Sequence, residues 1–427
     1  MHRIVSSLKK KNNFVIKSLG TSMLPTLHPK DVAYIKKISF GNVKVNDILM
    51  VEKGRNVLIH RVIYKTPGII KTTPFLVTKG DNNQTSDGKI YAKQVIGKLY
   101  QYKRGNYVSN MDEIYLIQST YYYQEIVKIK KELEKYKVDF VFLKGLPIHL
   151  FFEKKQPGRI YADCDILIDK NKFEKIQNIF VKNGYIKYRS EYSKLHRMLK
   201  DKQTEVAFFK QTKDIDIVFD VHFEPVFMMN QLGKLDALYP EKLMRQMNEE
   251  FLCDKKIIKV NNETFPILSI PNLIIYLSLH LFHHNFRKIF RLELINIILN
   301  RLEFMTNKKL QKDVTDRIVK YKLGNYIYPV FVLLQKYYYQ HFTASFLNKI
   351  LPSEEKKRYI SNNILPVDVF SHEDRIKSGI TRFKNLYFLA PTSILRKNMI
   401  FFYPSVLHMI FWVGMKKIKR NLKLSFS

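Results

Sequence analysis

Six short apolar runs fill the first hundred residues: Val15–Leu19, Asp31–Lys37, Asp47–Glu52, Val57–Ile63, Phe75–Gly80 and Gln94–Tyr102. Pro, Gly, Asn and Asp residues punctuate the gaps. Runs this short, broken by turn formers, read as strands, because an amphipathic helix needs roughly ten or more residues of 3.6-residue periodicity. An all-β domain over residues 1–105 follows. After the polar stretch from Lys103 to Asn110 the pattern changes, and residues 113–137 have the length and periodicity of a helix. A second domain is therefore expected to start near Ser109.

That domain, residues 109–350, opens with apolar strands at 138–145 and 162–168. A helix from about Lys172 can end at Asn183-Gly184, because both residues accept the left-handed backbone of a helix C-terminus. The paired runs 205–211 and 214–223 flank a Lys-Asp turn, and helical patterns occupy 240–248, 270–304 and 326–346. The chain of 427 residues thus reads as multi-domain: an all-β domain, an α+β domain with its core at about 138–225 and a helical part after it, and a basic helical tail at 351–427.

Lys and Arg number 73 against 38 acids, a formal charge of +35, which attracts nucleic acid, anionic lipid or phosphate-bearing substrates. The basic residues are mostly Lys spread among Ile, Asn and Tyr, as a compositional bias gives, so no specific nucleic-acid partner is predicted. Two isolated cysteines, Cys164 and Cys253, make no disulfide framework and fit a reducing compartment. The first twenty residues lack the apolar core of a secretory signal, so a cytoplasmic location is expected.

Gly20-Thr21-Ser22-Met23-Leu24-Pro25-Thr26-Leu27 puts a hydroxyl on a tight bend after a strand. A serine nucleophile needs a base, and His60 lies on the strand face it shares with Leu58 and Val62, directed inward or into a cleft. Either feature alone is usually structural. Their order, followed by Lys79-Gly80-Asp81-Asn82-Asn83, resembles the signal-peptidase and LexA superfamily of serine peptidases, most closely the endoplasmic-reticulum and archaeal type with His in place of Lys. The resemblance implies Ser22 as nucleophile, His60 as general base and a carboxylate that orients the imidazole. Spacing carries the last role onto Asp87, with Asp81 the alternative or a turn former. Three departures stand out: Gly20 replaces a serine oxyanion donor, Lys30 and Asn46 replace glycines before strand-opening aspartates, and no membrane anchor precedes the serine.

Asp163-Cys164-Asp165 opens an apolar strand, and alternation places its two carboxylates on one face. Such a pair suits Mg²⁺ against nucleotide phosphates, although Asp-x-Asp alone is more often a solvated strand end or a cap for the next helix. With Phe142-Leu143-Lys144-Gly145 before it and Pro157-Gly158-Arg159 between, the segment resembles the polymerase-β-like nucleotidyltransferases over about residues 138–300. That resemblance implies Mg²⁺ on Asp163, Asp165 and a third acid, Asp220 or else Asp216. It also implies nucleotide phosphates near Lys144, Gly145 and Arg159. His280 and His284 stand one helical turn apart without the glutamate of a zinc-protease motif, and are expected to support the nucleotide site or simply to pack.

From Ser378 to Ser427 no acid occurs, and basic residues flank the apolar segment 399–415. This segment is too short to span a bilayer, so it reads as either a membrane-surface element on anionic lipid or a buried helix. The expectation is a signal-peptidase-type serine peptidase fused to a Mg²⁺-dependent nucleotidyltransferase. Its partners would be a peptide or precursor protein and a nucleoside triphosphate, in peptide maturation or export. Two alternatives remain: a cytosolic LexA-like or non-catalytic peptide-binding module on an active nucleotidyltransferase, or two binding modules.

Overall fold

The computed structural model describes residues 7–411, except 25, 55, 68–72, 155–156, 158–160, 162, 188–203, 213–215, 226–227, 230–231, 233–234, 372 and 374. Arg159, Gly158 and the basic residues after Phe411 lie outside these.

The N-terminal runs pair into one antiparallel sheet. Its strands are β1 (Asn13–Lys17), β2 (Val32–Lys36), β3 (Ile48–Lys53), β4 (Asn56–Lys65), β5 (Phe75–Lys79), β6 (Lys89–Tyr91), β7 (Val95–Arg104) and β8 (Tyr107–Asn110). The order is β1-β2-β7-β3-β4-β5-β6, with β8 on β7. Two small apolar clusters fill it, one around Leu27, Ile35 and Leu99 and one around Leu49, Val51 and Leu76. Lys30 and Asn46 both take φ 76°, so the backbone keeps the left-handed turn before Asp31 and Asp47 without glycine. Their strain is offset locally, since the Asp31 carboxylate accepts from the His28 N–H at 2.7 Å and that of Asp47 from the Lys44 N–H at 2.8 Å.

The polar stretch 103–110 is a hairpin rather than a linker: Gly105, at φ 59°, turns β7 into β8. Asn110 then caps helix α1 (Met111–Lys135) with no residue between strand and helix. A second, mixed sheet follows in the order β11-β12-β13-β10-β9-β15-β14. It comprises β9 (Phe140–Lys144), β10 (Asp163–Ile168), β11 (Ile186–Lys187), β12 (Glu205–Gln211), β13 (Asp216–His222), β14 (Lys255–Val260) and β15 (Glu263–Leu268). β10 runs parallel to β13 and antiparallel to β9. Helices α2 (Leu146–Glu153) and α3 (Phe173–Lys182) lie in the chain between these strands, and α4 (Glu241–Cys253) follows them.

The remaining helices are α5 (Ile270–His283), α6 (Phe290–Arg301), α7 (Lys308–Lys320), α8 (Gly324–Tyr338), α9 (Ala344–Lys349), α10 (Glu354–Asn363), α11 (Arg375–Leu389) and α12 (Ile394–Asn398). The helical pattern at 270–304 is two helices, broken where Asn285, Phe286 and Lys288 adopt positive φ. One large core joins the second sheet to these helices and takes in Tyr64 and Val77 of the first sheet. The Tyr64 hydroxyl donates to the Tyr337 carbonyl at 2.7 Å, and its ring meets those of Tyr338 and Phe370. Among the described residues no helix is long and apolar enough to cross a membrane.

Candidate functional site

Ser22 sits on the bend between β1 and β2. This bend is pinned to the loop after β5, where Asn82 donates its backbone N–H to the Ser22 carbonyl at 2.8 Å. Gly80 permits that approach, because a Cβ there would stand 2.6 Å from the Ser22 carbonyl oxygen. His60, on the buried face of β4 and 3% exposed, places Nε2 at 2.9 Å from Ser22 Oγ and Nδ1 at 2.7 Å from Asp87 Oδ2. A carboxylate only accepts, so Nδ1 carries the proton and Nε2 is left to accept from the serine hydroxyl. Asp87 is itself held by two bonds with Thr78: the Thr78 hydroxyl donates to Oδ2 at 2.7 Å, and the Asp87 N–H donates to the Thr78 carbonyl at 2.8 Å.

Asp81 lies elsewhere. Arg61, one residue after His60 and so on the opposite strand face, grips its carboxylate through Nε and Nη2 at 2.8 and 2.7 Å, and Thr26 donates to it at 2.6 Å. Arg61 also bonds the Tyr115 hydroxyl, at the start of α1. Of the two acids considered, Asp87 meets the imidazole, while Asp81 clamps the loop to the bend that bears Ser22. The contacts that Thr78, Arg61 and Thr26 make here were not legible in the sequence, since their partners are distant along it.

The second cluster lies where β9, β10 and β13 adjoin. Parallel register sets Asp165 against Asp220, and alternation brings Asp163 to the same face with Cys164 fully buried behind. Ligand oxygens of Asp163, Asp165 and Asp220 all lie within 4.8 Å of one another. Asp216 is exposed at the start of β13 and is not part of the group. Lys144 Nζ sits 2.5 Å from Asp163 and 2.7 Å from Asp165, and His222 Nε2 sits 2.9 Å from Asp165.

Burial alone would raise the Asp165 carboxyl, but Lys144 and His222 hold it below the ordinary carboxylate value. At Asp220 burial, then the Asp165 charge, outweigh the opposing His222 and push the carboxyl up to about 7. The His222 imidazole, which burial would make less basic, is raised by its hydrogen bond to Asp165. Three crowded carboxylates with one forced toward neutrality form an oxygen-only donor set that suits a hard divalent cation such as Mg²⁺.

Gly145, at φ 115°, caps α2 beside the Asp163 backbone. A Cβ there would lie 3.5 Å from the Asp163 carbonyl oxygen, close but not excluded, so the positive φ is what favours glycine. Lys144, read from the sequence as a phosphate partner, is instead engaged with the two aspartates. The rings of His280 and His284 pack edge to face at 4.7 Å, and burial pushes both well below ordinary histidine basicity. Neither joins an acidic or metal-type group among the described residues. The Tyr276 hydroxyl is wholly buried with no hydrogen-bond partner among the described residues, and the trio's charges bear on it; nothing in the sequence marked it.

Three comparisons set the chain beside known proteins. The catalytic subunit SEC11 of the signal peptidase complex of Clavispora lusitaniae is 30% identical over 94 residues, 22% of this chain and 55% of that protein. The chain therefore spans about half the length of the curated relative it matches. The crystal structure of an antigenic nucleotidyltransferase-like protein from Paracoccidioides brasiliensis aligns with 55% of this chain and 95% of its own, at 13% identity and a TM-score of 0.30. A family model described as uncharacterised nucleotidyltransferase matches residues 113–338, over half of the chain and the whole of the acidic trio; the protein belongs to that nucleotidyltransferase family.

Proposed function

We propose that the chain joins a signal-peptidase-type serine peptidase to a Mg²⁺-dependent nucleotidyltransferase, acting on a peptide or precursor protein and a nucleoside triphosphate in peptide maturation or export. The peptidase half rests on the unbroken line from Asp87 through His60 to Ser22, each link 2.9 Å or shorter. In this reading Ser22 Oγ attacks the scissile carbonyl as His60 Nε2 takes its proton. Asp87 stabilises the imidazolium, which then protonates the leaving amine. With Gly20 before the bend, backbone N–H groups including that of Ser22 receive the oxyanion.

The transferase half rests on the trio Asp163, Asp165 and Asp220 within the family-matched residues. These carboxylates would hold Mg²⁺, which supplies charge neutralisation of the phosphates and of the developing leaving group. The acids orient the acceptor hydroxyl and can take its proton. The nucleotide implies a cytoplasmic workplace. The exposed side chains of Leu395, Phe402 and Phe411, in a segment that also carries Arg396 and Lys397, support attachment to anionic lipid at the inner membrane face.

Two variants test the pair of activities in the full chain. Ser22→Ala abolishes peptide cleavage and leaves label transfer from an α-labelled nucleotide intact, and Asp163→Ala does the reverse. Cleavage that survives Ser22→Ala, or transfer that survives Asp163→Ala, removes the corresponding half. Flotation with anionic liposomes of the full chain against a truncation at Leu395 tests the attachment, and equal binding by both sinks it.

A further inference from the structure

The first turns of α1 belong to the core of the first sheet. Met111 and Tyr115 are buried in one apolar cluster with Met23, Leu27, Leu99 and Tyr102, although residues from 113 onward match the nucleotidyltransferase family. Tyr115 lays its ring against the Arg61 guanidinium, 5.7 Å from carbon to centroid, and its hydroxyl accepts from Arg61 Nη1. The same Nη1 reaches the Asn46 carbonyl at 3.2 Å. Seven residues along the same face of the helix, the buried Tyr122 donates to the Val218 carbonyl at 3.2 Å, in the strand that carries Asp220. Tyr115 therefore stands on a helix anchored at both ends of this stretch.

We infer that Tyr115 is a positioning residue for the serine site: it holds Arg61, through Arg61 it fixes Asp81 and the loop after β5, and so keeps the Ser22 bend in register with His60. The inference rests on the peptidase reading of Ser22, His60 and Asp87, and it makes the peptidase half complete only with α1 in place.

Arg61 is suited to carry this. Its five N–H donors lie in one rigid plane, so an acceptor at Nη1 sets the direction in which Nε and Nη2 point. Those two grip Asp81 at 2.8 and 2.7 Å, and Nη2 also reaches the Thr26 hydroxyl at 3.3 Å. From Asp81 the bonds converge on the nucleophile. Thr26 donates to its carboxylate, and the next residue, Asn82, donates its backbone N–H to the Ser22 carbonyl at 2.8 Å and its side-chain N–H to the Thr21 carbonyl at 3.3 Å. His60 is oriented separately, by Asp87 and Thr78. Loss of the Tyr115 hydroxyl thus loosens the nucleophile and leaves the base in place. Chemistry should slow while substrate binding holds, because attack geometry tolerates little displacement.

The full chain is assayed for peptide cleavage and for the rate at which a fluorophosphonate labels Ser22, which needs an activated serine and no peptide subsite. Tyr115→Phe keeps the buried ring. It should lower both kcat and the labelling rate about tenfold with KM held within about twofold. In an Asp81→Ala background, where the path is already cut, the same change should cost less than about twofold, whereas a role in packing alone would give additive losses. Should Asp81→Ala fail to fold, Arg61→Lys, which keeps the charge but loses the fork, takes its place. Unchanged kcat and labelling in Tyr115→Phe, or the full loss repeated in the second background, overturns the inference and leaves the peptidase reading standing. A wild-type chain that neither cleaves peptide nor labels at Ser22 removes that reading, and the inference with it.

Discussion

At Ser22 three side chains from separate loops and strands are aligned by hydrogen bonds, and one negative charge, Asp87, is met by the His60 N–H and the Thr78 hydroxyl. At Asp163 three carboxylates are crowded together, and the structure balances them with Lys144 and His222 while leaving Asp220 pushed toward neutrality. The first site is poised with its own groups. The second is held by charges that a cation or an anion would rearrange. Directional bonds therefore set the geometry of the one and Coulombic balance that of the other, and the two should respond differently to substitution, metal and pH.

The sharpest contrast comes from Asp87→Asn, which keeps the shape but presents the wrong hydrogen-bonding partner to Nδ1. Cleavage should fall by about 10³–10⁴-fold, with little change in melting temperature and none in label transfer. Loss below tenfold would mean that His60 does not depend on Asp87. Lys144→Met removes the cation between two carboxylates and should destabilise the metal-free chain by roughly 3–5 kcal/mol. Mg²⁺ should restore part of this in thermal melts, and a variant as stable as wild type would show that Lys144 is not the balancing charge.

Asp220→Asn works in the opposite sense. An acid whose pKa rises on folding to about 7 costs nothing while both states are protonated. Its penalty grows as pH rises from about 4 to 7 and is complete above. Without metal the variant should gain up to about 4 kcal/mol at pH 8, with the gain vanishing near pH 4. A gain independent of pH would contradict the assignment. Thr78→Val, the mildest, deletes one hydroxyl bond to Asp87 and should lower cleavage about tenfold, corresponding to roughly 1–1.5 kcal/mol. A larger loss would mark Thr78 as essential to the line.

Much of this was legible in the chain because it depends on near neighbours. Turn residues delimited all six N-terminal runs, and two-residue alternation placed Asp163 and Asp165 on one face with Cys164 behind. What escaped was non-local or locally atypical. The Arg61–Asp81–Thr26 clamp joins three loops and strands whose pairing no spacing announces. The hairpin of β14 and β15 begins in the Lys-rich run Lys255–Lys259, which weakens its strand signal. The break between α5 and α6 falls at Phe286 and Lys288, residue types that do not advertise positive φ, so one helix was expected where two exist.

The junction between β8 and α1 has mechanical weight. Helix α1 meets Arg61 through Tyr115 in its first turns and runs past Tyr123, which bonds the Val260 carbonyl, to Lys130, which pairs with Glu263. At 1.5 Å per residue its 25 residues span about 37 Å. A tilt of about 5° at the Arg61 end would carry the far end through about 3 Å, on the same helical rise of 1.5 Å per residue. The helix is thus a rigid strut: near one end it bonds Arg61, which grips Asp81 in the loop beside Ser22, and the rest is fastened to the sheet that bears the aspartates.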